Sequence, residues 1–151
     1  MAVNKVRMAW VQVFAAWAPV FAWMVLMSYL STDPFSGTWS EGLLGFWVTF
    51  LHLPGGAHDV QLANMVLRKS AHCFEFFVLG ILLYRALSTE RQAGEPVDRR
   101  VLVRVLLLGF SFAVLDELHQ AFTSTRGASL IDVGWDFAGV LGSQLATLVG
   151  I

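Results

Sequence analysis

The chain has 151 residues, enough for one domain by length. Hydrophobic types make up 56% of it and charged types only 14%, against roughly 25% charged in ordinary soluble domains, which points to an integral membrane protein. A formal net charge of −1 excludes a basic nucleic-acid-binding surface, and the lone Cys73 excludes an internal disulfide and a thiolate zinc cluster.

Residues 1–8 form a short polar lead carrying Lys5 and Arg7. Residues 10–30 contain no charge, and at 1.5 Å per residue such a run spans roughly 30 Å, the thickness of the hydrocarbon core. A cleaved signal peptide has a shorter apolar core, so this run reads as a first transmembrane helix, with Pro19 placed to kink it. Residues 32–67 read as the longest connection, opening with the turn pairs Asp33-Pro34 and Ser36-Gly37. Within it the apolar run 42–53 is too short to span and is closed by Pro54-Gly55-Gly56, which predicts a short external helix lying at the membrane surface. His52 and His58 fall in this connection and read as surface residues.

Arg68-Lys69 opens a second span over about 70–87, with Arg85 near its far end able to snorkel into the headgroups. Residues 88–100 are rich in charge and form a solvated loop. A third span covers about 101–122, with Arg104 near its start, and residues 123–128 make a tight connection containing Arg126-Gly127. The fourth covers about 130–151, where Gly139, Gly142 and Ser143 let a neighbouring helix approach closely. The expected fold is thus all-α: a polytopic membrane protein with four transmembrane helices and a short external interfacial helix, in a single domain over residues 1–151.

Lys5, Arg7, Arg85, Arg91, Arg99, Arg100 and Arg104 fall on one side of this arrangement, and Arg68, Lys69 and Arg126 on the other. The excess of positive charge places both termini in the cytoplasm. Glu75 on the second span, Asp116 on the third and Asp136 on the fourth then each lie about six residues, roughly 9 Å, below the outer surface. Their faces agree as well. Lys69, His72 and Glu75 are spaced i, i+3, i+6; Asp116 and Gln120 are i, i+4 with Glu117 beside them; Asp132 and Asp136 are i, i+4. Ionisable groups inside a membrane face the bundle interior or a wet cavity. The expectation is an outward-opening polar pocket lined by Lys69, His72, Glu75, Asp116, Glu117, Gln120, Arg126, Asp132 and Asp136.

Five carboxylates (Glu75, Asp116, Glu117, Asp132, Asp136) face two fixed cations, Lys69 and Arg126, plus His72. Either some carboxyls stay protonated or a cation binds. His72 with Asp or Glu ligands could hold a divalent metal whose remaining positions meet a phosphate, although the chain lacks an H-E-x-x-H pattern. The bland alternative is a network of hydrogen bonds and ion pairs that only locks the bundle. Arg126 suits an external anion, its competing role being a salt bridge to Asp132. His119 flanks the site, Cys73 has no evident activating base, and Ser111 and Ser143 read as packing residues.

The stretches WAPVFAWMVLMSYLSTDPFSG, RKSAHCFEFFVLG and DELHQAFTSTRGASLIDVGWDFAGVLG resemble, in order and spacing, the first helix with its serine-containing turn and the two polar motifs of the VanZ family, small membrane proteins named for a teicoplanin-resistance protein. The resemblance covers nearly the whole chain and carries over Arg68, Lys69, His72 and Glu75 from the second-helix motif. From the third motif it carries over Asp116, Glu117, His119, Gln120, Arg126, Ser129, Asp132 and Gly139. The chain departs from the family pattern at Phe76, where a Tyr is common, and at Ser124-Thr125, where Pro-Gly is usual; the first removes a hydroxyl from the expected site. The resemblance implies action at the cell envelope, on glycopeptides or lipid-linked wall precursors. Three functional readings follow. In the first, the pocket binds an anionic lipid headgroup, wall precursor or glycopeptide through Arg126, Lys69 and His72. In the second, the protein is an intramembrane enzyme acting on a lipid-linked phosphate, with His72, Glu75, Asp116 and Glu117 as the acid–base candidates. In the third, it is a non-catalytic partner subunit. Membrane lipids are the expected partners, nucleic acid is not, and self-association is left open.

Overall fold

The computed structural model describes residues 2–32, 37–52, 56–89, 97–122 and 129–150, with the side chains of 2–9 and 37–39 left outside the description. Every regular element among the described residues is an α-helix: α1 (Ala2–Leu30), α2 (Gly37–Phe50), α3 (Ala57–Leu87), α4 (Arg99–Ala121) and α5 (Leu130–Val149). The all-helical expectation holds.

The boundaries differ from the sequence-based ones in an instructive way. The helix expected to begin at residue 70 begins at Ala57, so the connection 32–67 is much shorter than its composition suggested. Arg68-Lys69 marks a change of polarity, yet nothing between Ala57 and Ser70 breaks a helix, and the chain stays helical through the charged pair. Asp59 anchors the new start, its Oδ2 accepting from the Gly56 N–H at 2.8 Å and satisfying one donor of the exposed N-terminal turn. The short external helix runs over Gly37–Phe50 rather than 42–53, and the first helix starts eight residues earlier than the apolar run and continues through Pro19. At the far end Gly150 adopts a left-handed conformation (φ 86°) and closes α5.

The four long helices alternate in direction. Trp23 Nε1 on α1 donates to the Glu75 carbonyl on α3, and Ser31 beyond the end of α1 reaches Asp116 near the end of α4. Phe112 of α4 packs on Phe76 of α3, and Phe110 on Phe137 of α5, with ring centroids 5.9 and 5.4 Å apart. The helices α3 and α5 run side by side in the same sense, since Lys69 meets Asp132, Cys73 meets Gly139 and Gly80 meets Ser143. These approaches are close. A Cβ on Gly139 would collide with the Cys73 carbonyl oxygen and stand 3.0 Å from the Phe77 backbone nitrogen, and one on Gly109 would stand 2.8 Å from both Val140 methyls. Small residues thus allow the backbone of α5 to lie against that of α3, the packing that membrane helices use.

The core is narrow, built from Val20, Met27, Phe76, Leu79, Leu83, Val105, Ala113 and Val140. Large apolar side chains face outward along the helices, among them Phe14, Phe21, Val25, Phe74, Leu107, Leu115 and Leu145. Two described helices, over Trp10–Leu30 and Ala57–Leu87, are long and apolar enough to cross a membrane, and only 11% and 28% of their apolar windows are buried. So little burial separates them from the core helices of a soluble protein, which hide such runs in protein. In α4 and α5 the polar residues described next interrupt the apolar sequence.

A polar site at one end of the bundle

The alternation of helices brings the end of α1, the middle of α3, the last turns of α4 and the first turns of α5 to the same end of the molecule. There the polar residues singled out from sequence meet. Lys69 donates to and ion-pairs with Oδ1 of Asp132, joining α3 to α5. One turn deeper, His72 Nδ1 lies 3.6 Å from Oδ1 of Asp136. Asp116 of α4 is buried beside them, its Oδ2 accepting from Ser31 Oγ at 3.2 Å and from Gln120 Nε2 at 2.8 Å. Glu117, also buried, accepts from the Ser129 backbone N–H at 2.7 Å, linking the end of α4 to the start of α5.

The site is graded from open to closed. The side chains of Asp132, Lys69 and His72 are 38%, 28% and 22% exposed, whereas that of Asp136 is 1% exposed. The gradient follows from helical spacing. Asp132 and Asp136 share a face of α5 but stand one turn apart, as Lys69 and His72 do on α3, so each outer pair sits above an inner one.

Asp136 lies in a strongly negative surrounding, to which Asp116, Glu117, Asp132 and Glu75 all contribute. Neither of its oxygens accepts a hydrogen bond, and the Oδ1 of Asp116 accepts none either. His72, Asp116 and Asp136 each offer one ligand-capable atom, and these three atoms lie within 4.8 Å of one another.

Of the residues read from sequence, the structure therefore brings Lys69, His72, Asp116, Glu117, Gln120, Asp132 and Asp136 together. Glu75 is half-buried one turn from His72 on α3. Arg126 and its neighbours 123–128 lie outside the described residues, and the partner found for Asp132 is Lys69. His119 is exposed, as are His52 and His58, and Ser143 is buried with its hydroxyl donating to the Val140 carbonyl at 2.6 Å. The residue that the sequence reading missed is Ser31, 2% exposed and bonded to Asp116 across 85 positions of chain. Its signal was faint: a hydroxyl in the turn after an apolar helix usually bonds locally, as Thr32 does to the Tyr29 carbonyl. A second buried polar group, Gln144, donates to Ser143 Oγ at 2.8 Å on the α3-facing side of α5.

No curated protein and no solved structure matches the chain. A family model does, the one described as VanZ/LLP1, over residues 14–149. That match takes in α1 from residue 14 onward and the whole of α2, α3, α4 and α5, with the polar site and Ser31 inside it. The chain belongs to the VanZ/LLP1 family.

Proposed function

We propose that this is a multi-pass protein of the plasma membrane whose polar site binds the anionic headgroup of a lipid or lipid-linked wall precursor, or a glycopeptide, from the outer side. The observation that carries the reading is the exposure gradient: an ion pair at the mouth, Lys69 with Asp132, above buried carboxylates and an imidazole. A site needed only to lock helices could use neutral hydroxyls and amides, as Ser143 and Gln144 do lower down the α3–α5 contact. Four spans and a surface helix complete the reading. The outward-facing Phe46, Trp47 and Phe50 of α2 suit the headgroup layer, where amphipathic aromatics concentrate. On this reading Lys69 exchanges Asp132 for the incoming anion, Arg126 is its candidate partner, and the basic residues at the opposite end hold both termini in the cytoplasm.

A second reading, an intramembrane enzyme on a lipid-linked phosphate, draws on the His72–Asp136 approach, since an imidazole facing a buried carboxylate is an acid–base pair in outline. Native mass spectrometry of gently extracted protein tests the first reading. Wild type retains a bound phospholipid or precursor, and Lys69→Gln and Arg126→Ala each lose it. Bare protein in all three samples, with unchanged stability, removes the headgroup reading in favour of a partner subunit. Ligand retained by an Asp116→Asn variant that has lost activity selects the enzyme.

A further inference from the structure

We propose that His72, Asp116 and Asp136 form a binding site for a divalent transition-metal ion of the zinc or manganese class. Three helices supply one residue each, and the three ligand-capable atoms stand within 4.8 Å of one another. Around an ion with bonds of about 2.0–2.2 Å, neighbouring ligand atoms lie roughly 3–3.5 Å apart, so small side-chain rotations bring all three into place.

The second observation is what the carboxylates lack. Asp136 is 1% exposed and both of its oxygens accept no hydrogen bond; Asp116 is 3% exposed and its Oδ1 accepts none. A buried acceptor without a donor is costly, which is why such groups are rare in folded proteins. Elsewhere in the site the acceptors are served: Glu117 by Ser129, Asp132 by Lys69, and the other oxygen of Asp116 by Ser31 and Gln120. Within the site, the buried oxygens that accept no hydrogen bond belong to the two aspartates that face His72; outside it, Ser88 Oγ and Gln144 Oε1 also accept none but have no ligand-capable neighbours grouped with them. The His72–Asp136 separation of 3.6 Å is too long for a hydrogen bond and suits two ligands of one ion.

The donors around Asp116 also have the form of an outer shell. Ser31 and Gln120 fix one carboxylate oxygen and turn the other inward, as hydrogen bonds from neighbouring groups orient metal ligands elsewhere. A ligand set of one imidazole nitrogen and two carboxylate oxygens favours zinc or manganese over calcium, which prefers oxygen alone. Three protein ligands also leave at least one position for an outside ligand. The site extends beyond the headgroup reading and does not depend on it.

The test uses the full chain in detergent, stripped with chelator and titrated with Mn²⁺ alone, with free Mn²⁺ followed by electron paramagnetic resonance and Zn²⁺ added as competitor. The expected result is one Mn²⁺ per chain in wild type, displaced by Zn²⁺. Asp136→Asn and His72→Gln should each weaken binding by at least about tenfold, while Thr89→Ala, exposed beyond the far end of α3, binds as wild type does. Thermal unfolding with and without the ion guards against a variant that does not fold: the ion raises the wild-type Tm and leaves that of His72→Gln unmoved. Wild type that binds no Mn²⁺ or Zn²⁺, or variants that bind as well as wild type, would overturn the proposal. Wild type that binds Mn²⁺ but carries no phospholipid supports the ion site while removing the headgroup reading.

Discussion

Glu117 illustrates how a single side chain serves both the site and the fold. Its carboxylate accepts from the Ser129 N–H just ahead of α5, where the first amides of a helix have no partner within the helix and carry partial positive charge. Glu117→Ala removes that acceptor from a buried place and should lower stability by about 1.5–3 kcal/mol, read as a fall in Tm in detergent. Glu117→Gln keeps an acceptor and should recover much of the loss; equal Tm values for Ala and wild type would show that Ser129 finds another partner. At this scale most of the site was legible, because Lys69, His72, Asp116, Glu117, Asp132 and Asp136 stand out in apolar sequence. A charged group in hydrocarbon costs roughly 2.5–3.5 kcal/mol on insertion scales, so its presence is information. Ser31 was illegible for the converse reason. A serine costs little at a helix end, and its partner, Asp116, is fixed by tertiary structure alone.

Among the elements, the contact between α3 and α5 decides the architecture. Gly139 lies against the Cys73 carbonyl and the Phe77 amide, so any side chain there must push backbone apart rather than rotate a neighbour. Gly139→Ala should therefore destabilise by more than the roughly 1–3 kcal/mol typical of overpacking, lowering the Tm or abolishing folded protein. Gly134→Ala, where nothing stands within 4 Å of the added methyl, should hold or slightly raise the Tm, alanine being the better helix former, and serves as the control. The small-residue face of α5 was readable from the spacing of Gly139 and Ser143. The start of α3 was not. The boundary of the apolar segment is not the boundary of the helix, because backbone hydrogen bonding does not end where polarity changes. With Asp59 bracing its first turn and no proline or internal glycine before Ser70, the helix continues past Arg68.

For the molecule as a whole, the alternating direction of the four long helices follows from their contacts, and that alternation brings His72, Asp116 and Asp136 to one level, while Glu75 lies one turn beyond His72 on α3, where the Trp23 indole meets its carbonyl. From the sequence, Glu75 was expected at the level of Asp116 and Asp136; an α3 that begins at Ala57 and sets His72 there instead could not be seen. At 31 residues α3 is about 46 Å long, well over the roughly 30 Å of a hydrocarbon core. Cysteine labelling tests the orientation. In a Cys73→Ala background, a membrane-impermeant maleimide should label His58→Cys and Gln61→Cys on intact cells and Thr89→Cys only after lysis. The reverse pattern would invert the protein, and with it the side from which the site is reached.

The glycine contact has a bearing on the chemistry above it. Cys73 follows His72 directly, and Gly139 comes three residues after Asp136, so the contact sits just beneath the pair. Wherever they are ionised, Asp116 and Glu117 on α4 repel Asp136 on α5, while Lys69 offsets Asp132. The opposing force is the van der Waals attraction of two backbones in close contact, a main-chain carbonyl seated where a side chain is missing. The spacing of the backbones that carry imidazole and carboxylate is thus gauged by packing that carries no charge, and it should keep its value while the two side chains rotate to take up an ion.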